Sequence, residues 1–290
     1  MDDLLQFLQA YQTTIGFTGL NAMLALSVWL TLYTGQLTLG NAAFAGIAAY
    51  CSALLTMKAG LPFPLALLSG ALLAAIVALP LGATVFRLRG VYLAIATLAF
   101  GEVVRVAILA IPITGRGQGL VGIPPKTELW HIFLSLAVVA FACARLRVSS
   151  VGRAWAAIRE DELAAASQGI RVHRYKLAAF VLGALIAGWA GGLAAHFDFA
   201  IQPDEFGFAR AVQILVFAVV GGIPNVFGPI LGAVLLTALP AILQPLQEYR
   251  DIFQGAILLF VIIYLPRGLV TFVEVRRTRR LARIGAADVA

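Results

Sequence analysis

Charge is scarce in this chain. Asp, Glu, Lys and Arg together make up 12% of its 290 residues, against about 25% in soluble domains. Only three lysines, three histidines and two cysteines are present, and each shortage excludes something. Cys51 and Cys143 both lie inside apolar runs, which rules out a disulfide framework and a metal knuckle. Lys58, Lys126 and Lys176 follow Met57, Pro125 and Tyr175, so no GxxxxGK[ST] loop exists to cradle nucleotide phosphates. HExxH, GxSxG and CxxC are also missing. Without a nucleophile-base pair or a metal constellation the chain is expected to be no enzyme and to need no cofactor or metal. The first fourteen residues carry Asp2 and Asp3 but no Lys or Arg. They lack the basic start of a secretory signal, so insertion through the chain's own spans is expected.

What the chain has in quantity is apolar length. Hydrophobic residues make up 61% and mean hydropathy is +0.93, more than a water-soluble fold of this size can bury. The apolar windows fall at 15–33, 36–57, 62–86, 90–111, 129–144, 177–195, 211–222, 226–243 and 252–268. They predict an all-α, polytopic transmembrane helix bundle of about nine spans in a single domain, 1–290. The windows 129–144 and 211–222 are shorter than the roughly 20 residues a 30 Å hydrocarbon core requires, so each is expected as a half-helix or as a longer helix entering its loop.

Lys and Arg set the orientation. Fifteen of the 21 lie in three segments: Arg87 with Arg89, the 145–176 loop, and the tail from Arg267 to Arg283. Nine crossings place all three on one side, which is then the cytoplasm, with the C-terminus on it. The formal net charge of +7 is a consequence of topology rather than affinity for nucleic acid. The basic tail, about 271–290, is expected to contact anionic lipid.

The loop 145–176 is the richest segment. Between Arg153 and Gln168 helix formers dominate, Ser149 or Ser150 is placed to cap the start, and Gly169 to end the helix in the left-handed conformation. A single short helix is predicted, with Arg159, Glu160, Asp161 and Glu162 as a charged knuckle. Two readings are open: a docking element for a cytoplasmic partner, and an interfacial helix lying on headgroups.

Gly152-Arg-Ala-Trp-Ala-Ala-Ile-Arg-Glu-Asp-Glu162, followed by Gly169-Ile and Lys176-Leu-Ala-Ala-Phe180, closely resembles the coupling loop of permeases from high-affinity branched-chain amino-acid ABC importers. Three further stretches agree: Gly35 to Phe44, Arg87 to Arg105, and Gly221 to Pro229. The resemblance covers roughly residues 30–270 and points to the M-type permease subunit. It implies a second permease subunit, with a heterodimer expected, two cytoplasmic ATPases, a periplasmic substrate-binding protein, and residence in the bacterial inner membrane. It implies that Gly152, Arg153, Arg159, Glu160, Asp161, Glu162 and Gly169 couple to the ATPase. It also implies a helix arrangement in the style of the vitamin B12 importer, normally of ten spans. Five spans precede the loop here where that style has six, so the N-terminus is expected outside.

Candidates for the translocation path are few. Glu102 and Arg105 stand one helical turn apart inside span 90–111, either lining the path or neutralising each other as a structural clamp. Asn41 and Phe44 lie in the small-residue strip Gly40 to Gly46, where path lining and ordinary helix packing are both open. Gly188 and Gly192 suit close helix approach, and Gly221 to Pro229 suits a hairpin or half-helix junction. The outer loop Thr114 to Pro125 is expected to be flexible and, with Asp204, Glu205, Glu248 and Asp251, to face a binding protein. The expected function is transport of branched-chain or other hydrophobic amino acids by alternating access. Urea or short amides are the alternative cargo, and a stand-alone ion-coupled transporter is the alternative class.

Overall fold

The computed structural model describes residues 2–242, with side chains over 12–238. The span 252–268, Glu248, Asp251 and the basic tail lie outside the described residues. Within them the chain is a helix bundle: α1 (Asp2–Tyr33), α2 (Asn41–Lys58), α3 (Phe63–Val85), α4 (Val91–Ala110), α5 (Leu129–Val148), α6 (Ser150–Glu160), α7 (Glu162–Ser167), α8 (Val172–Asp198), α9 (Phe208–Gly221) and α10 (Phe227–Ile242). Five of these contain a segment long and apolar enough to cross a membrane: Gln12–Tyr33 of α1, then α3, α4, α5 and α8. The chain is a multi-pass membrane protein.

Side-chain size decides which helices occupy the centre. α2 and α8 are built largely of Ala and Gly on their buried faces, and they pack against each other, α1 and α3. Close approach is the reason: a Cβ on Gly191 of α8 would fall on the Ala45 carbonyl oxygen of α2, and one on Gly70 of α3 would stand 2.7 Å from the Ala48 carbonyl oxygen. Gly188 and Gly192 likewise face α2 and α3. At the periphery, α4 and α5 turn Tyr92, Ile95, Val103, Trp130, Leu134 and Phe141 outward, an arrangement suited to lipid and unsuited to water.

The helices alternate in direction, and the two described basic segments meet at one end. Phe86, just past α3, packs edge-on against His173 at the start of α8, which places Arg87 and Arg89 at the end of the bundle where α8 begins. At the opposite end His196 of α8 hydrogen-bonds through Nε2 to Thr56 Oγ1 at 3.0 Å and packs against Phe63. α1 begins at this opposite end, since Gly16 faces Phe197.

Three expectations need correction, and the window 129–144 takes the longer of its two expected forms. The window 36–57 is helical only from Asn41; residues 36–40 are irregular, with Gly35 at φ +78° turning the chain. The window 129–144 is part of a 20-residue helix that runs on to Val148. The predicted helix from Arg153 to Gln168 is two helices, because Asp161 is extended (φ −155°) and caps a second start. The loop Thr114 to Pro125, expected to be flexible, carries regular structure: the 3-10 turns Pro112–Thr114 and Arg116–Gln118 lead into β1 (Leu120–Val121), which pairs antiparallel with β2 (Ala200–Ile201), Leu120 opposite Ile201. Thr114 Oγ1 lies 2.6 Å from both the Ile108 and Ile111 carbonyl oxygens, and Leu120 and Ile123 are buried.

The window 211–222 is a 14-residue helix, α9, entered through the 3-10 turn Pro203–Phe206. α9 and α10 turn at Gly222 (φ 103°). Their backbones touch where a Cβ on Gly232 would fall on the Phe217 carbonyl oxygen, so Gly221 to Pro229 forms a tight helical hairpin.

Candidate functional site

Two regions carry the polar chemistry, one at each end. At the basic end α5 turns into α6 within one residue. Ser149 Oγ donates to the Leu146 carbonyl at 2.6 Å and accepts from the Gly152 amide at 3.3 Å, which caps α6. A Cβ at Gly152 would collide with the Leu146 and Arg147 carbonyls, so the turn requires glycine. Trp155, fully buried beside Trp29 and Cys143, donates Nε1 to the Tyr175 carbonyl at 3.0 Å and fixes α6 to the base of α8.

The α7 segment is closed at both ends. Asp161 Oδ1 accepts from the Leu163 and Ala164 amides at 2.8 and 3.0 Å, a cap that satisfies two orphan donors. At the other end Gly169 (φ +81°) donates to the Ala166 carbonyl at 3.0 Å, and Ile170 donates to Ala165 at 3.2 Å, the pattern of a Schellman stop. Glu162 is ion-paired with Lys176 of α8. Arg153 donates to the Val148 carbonyl at 3.1 Å, while Arg159, Glu160 and Leu163 are exposed. The structure thus brings Gly152, Arg153, Arg159, Glu160, Asp161, Glu162 and Gly169 onto one capped platform. That platform touches the α1–α2 connector: a Cβ on Gly35 would stand 3.3 Å from Arg159 Cα.

The second region is a cavity of about 700 Å³ between α1, α2, α8, β2, the 203–206 turn and α9, within the usual size of a small-molecule site. Its walls are Phe17, Leu24, Ala42, Ala45, Gly191, Ala194, Ile201, Phe206 and Ile214, and its charges are Asp198, Asp204, Glu205 and Arg210. Burial pushes the Glu205 carboxyl above the usual carboxylate range, the Asp198 charge pushes the same way, and a backbone hydrogen bond from Gln202 with the Arg210 charge pulls against it.

The four path candidates are not brought together. Asn41 is buried and gives Nδ2 to Ser27 Oγ at 2.9 Å, while its Oδ1 has no hydrogen-bond partner. Phe44 is wholly buried between Phe100 and Phe180. Neither lines the cavity, although their neighbours Ala42 and Ala45 do. Glu102 and Arg105 pair with each other at 2.8 Å, and they also clasp the cavity rim. Arg105 Nη1 meets Asp204 Oδ1 at 2.8 Å, and Glu102 Oε1 accepts from the Phe208 amide at 3.1 Å.

Sequence reasoning did not single out Arg210 and Asp198. The available signal was an arginine two residues into an apolar 14-residue helix that directly follows Asp204 and Glu205. No group of three or more His, Cys, Asp or Glu able to hold a metal occurs among the described residues.

The family described as branched-chain amino acid transport system / permease component matches residues 11–262. The chain is 36% identical over 286 residues to the high-affinity branched-chain amino acid transport system permease protein LivM of Escherichia coli (strain K12), covering 87% of this chain and 66% of that protein. It is 31% identical over 179 residues to the corresponding permease protein LivH of Salmonella typhimurium, covering 58% of each. The chain therefore spans just under two thirds of the length of its LivM relatives. No solved structure matches.

Proposed function

We propose a function from the premise that the chain belongs to the branched-chain amino acid transport system permease component family: it is a membrane permease subunit of an ATP-driven importer whose cargo is branched-chain or other hydrophobic amino acids. The observation that carries this is the α6–α7 platform. It is capped at each helix end, anchored by Trp155, and exposes Arg159, Glu160 and Leu163 where an outside partner can push. Because it also rests on the connector at Gly35, a push on α6 bears on the α1–α2 junction and on the core that holds Asn41. This is the contact an alternating-access device needs.

The proposal assigns Gly152, Arg153, Arg159, Glu160, Asp161, Glu162 and Gly169 to coupling, and Asn41, Phe44, Glu102 and Arg105 to the borders of the path. It includes a second permease subunit, two cytoplasmic ATPases that hydrolyse the ATP, and a periplasmic binding protein. Nine crossings in the vitamin B12 importer style, an inner-membrane location and a cytoplasmic C-terminus complete it. Eight of the nine windows correspond to α1–α5 and α8–α10, and the ninth is outside the described residues.

Reconstitution tests the proposal. Liposomes holding the full importer, supplied with binding protein and ATP, are expected to accumulate leucine. Uptake by this chain alone under a proton or sodium gradient, with no ATPase present, would overturn it.

A further inference from the structure

Three ion pairs occur among the described residues: Glu102–Arg105, Arg105–Asp204 and Glu162–Lys176. Arg210 belongs to none of them. Its Nη1 donates to Gln213 Oε1 at 2.9 Å and its Nη2 to Asn21 Oδ1 at 2.7 Å, two neutral amides that orient the guanidinium without cancelling its charge. A guanidinium does not give up its proton; the Glu205 charge acts on it, but no described carboxylate reaches it as an ion pair, so its fork is open to one. Its planar fork matches a carboxylate. Across the same cavity Asp204 is engaged by Arg105, whereas Asp198 and Glu205 make no ion pair among the described residues. The rest of the lining is mostly apolar, with small residues at Ala42, Ala45 and Gly191 and larger ones at Ile214 and Phe206.

From this geometry we propose that the cavity is a binding site within this single chain for an α-amino acid zwitterion with an apolar side chain. Its carboxylate meets Arg210, its ammonium meets Asp198 and Glu205, and its side chain lies against the Ala42, Ala45 and Ile214 walls. The proposal rests on the permease reading and adds to it where the cargo pauses. A ligand with both charges satisfies both sets of groups. An amine or an acid of the same shape satisfies one set and leaves the other unpaired, which is how a polar site rejects an analogue.

The test uses the full importer in nanodiscs without binding protein, with leucine observed by saturation-transfer NMR. On the wild type, 3-methylbutylamine, which lacks the carboxylate, and 4-methylpentanoate, which lacks the ammonium, are expected to displace leucine at least about tenfold less well than isoleucine does. In Arg210→Gln the preference for isoleucine over 3-methylbutylamine is expected to fall to within about threefold, and Arg210→Lys is expected to keep most of it. Should Arg210→Gln not fold, the wild-type comparison decides alone. Equal displacement by amine and amino acid, no leucine signal on the wild type, or an unchanged preference in Arg210→Gln overturns the site. Leucine uptake with binding protein and ATP, run on the same preparation, separates the two ideas. Normal uptake beside an overturned site leaves the permease reading standing, and absent uptake removes both.

Discussion

The two ends of the bundle handle polar groups in opposite ways. At the basic end the helix caps are local: Ser149 caps three residues on, Asp161 caps two and three residues on, and Gly169 closes the turn just before it. At the other end local pairs such as Glu102–Arg105 are joined by ties that are remote in sequence. Arg105 meets Asp204 across 99 residues, Glu102 reaches the Phe208 amide across 106, and Arg210 reaches Asn21 across 189. Local closure makes a stiff part that moves as a unit. Remote closure ties together elements that enclose space, so its geometry changes whenever the helices shift. A device that takes force at one end and changes shape at the other has reason to be built this way.

The largest effect is expected at the stop of α7. Proline at Gly169 cannot take φ +81° and removes the amide that bonds Ala166. Gly169→Pro is therefore expected to reduce ATP-driven leucine uptake at least about tenfold while the protein still inserts; undiminished uptake would strip the platform of its coupling role. Glu162→Ala, which frees Lys176, should also cut uptake. Its melting temperature should barely move, because a part-exposed ion pair contributes at most about 1 kcal/mol.

Next in size is the anchor. Trp155→Ala opens a hole beside Trp29 and Cys143 and is expected to cost about 3–5 kcal/mol. Trp155→Phe, which keeps most of the packing but loses the bond to Tyr175, should cost about 1 kcal/mol. Thermal unfolding in detergent reads both, and equal losses would mean that packing does not hold the platform.

At the remote end smaller effects are expected. Asp204→Asn removes one exposed partner of Arg105 and should cost less than about 1 kcal/mol. Glu102→Gln disturbs both the Arg105 pair and the Phe208 amide contact and should cost more. The reverse order, measured the same way, would deny that Glu102 ties α4 to α9.

The smallest effect concerns pH. The Glu205 carboxyl lies above its ordinary range in the folded chain, so between the unfolded value and the raised folded value the folded state binds more protons than the unfolded. Stability then falls as pH rises through that interval. Glu205→Gln should flatten this part of the profile, and an unchanged slope would assign the effect to other groups.

Much of the platform was legible because its determinants are neighbours in sequence: a serine before a helix-forming run and a glycine after it. The break at Asp161 was missed because helix formers stand on both sides and propensity alone favours continuing. Asp161 instead captures two amides with its own carboxylate, and a new helix starts. The outer loop misled for a related reason. Gly115, Gly119 and Gly122 suggest flexibility by composition, yet all three take positive φ in a fixed path held by β2 and the Phe199 carbonyl. Phe44 illustrates the limit at the other scale. Its position beside small residues left path lining and packing both open, and only the placement of Phe100 and Phe180 showed how the ring is enclosed.

Apolar run lengths, the uneven placement of arginine and the capping residues determined by themselves that this chain is a membrane bundle with a stiff basic turn, because hydropathy and capping act over a few residues. Which helices stand at the centre, where the cavity opens, and that Arg210 faces it with only amide partners were decided by tertiary structure. Those outcomes depend on how closely glycine and alanine faces let helices approach, and lateral approach between segments a hundred or more residues apart is not written in any one of them.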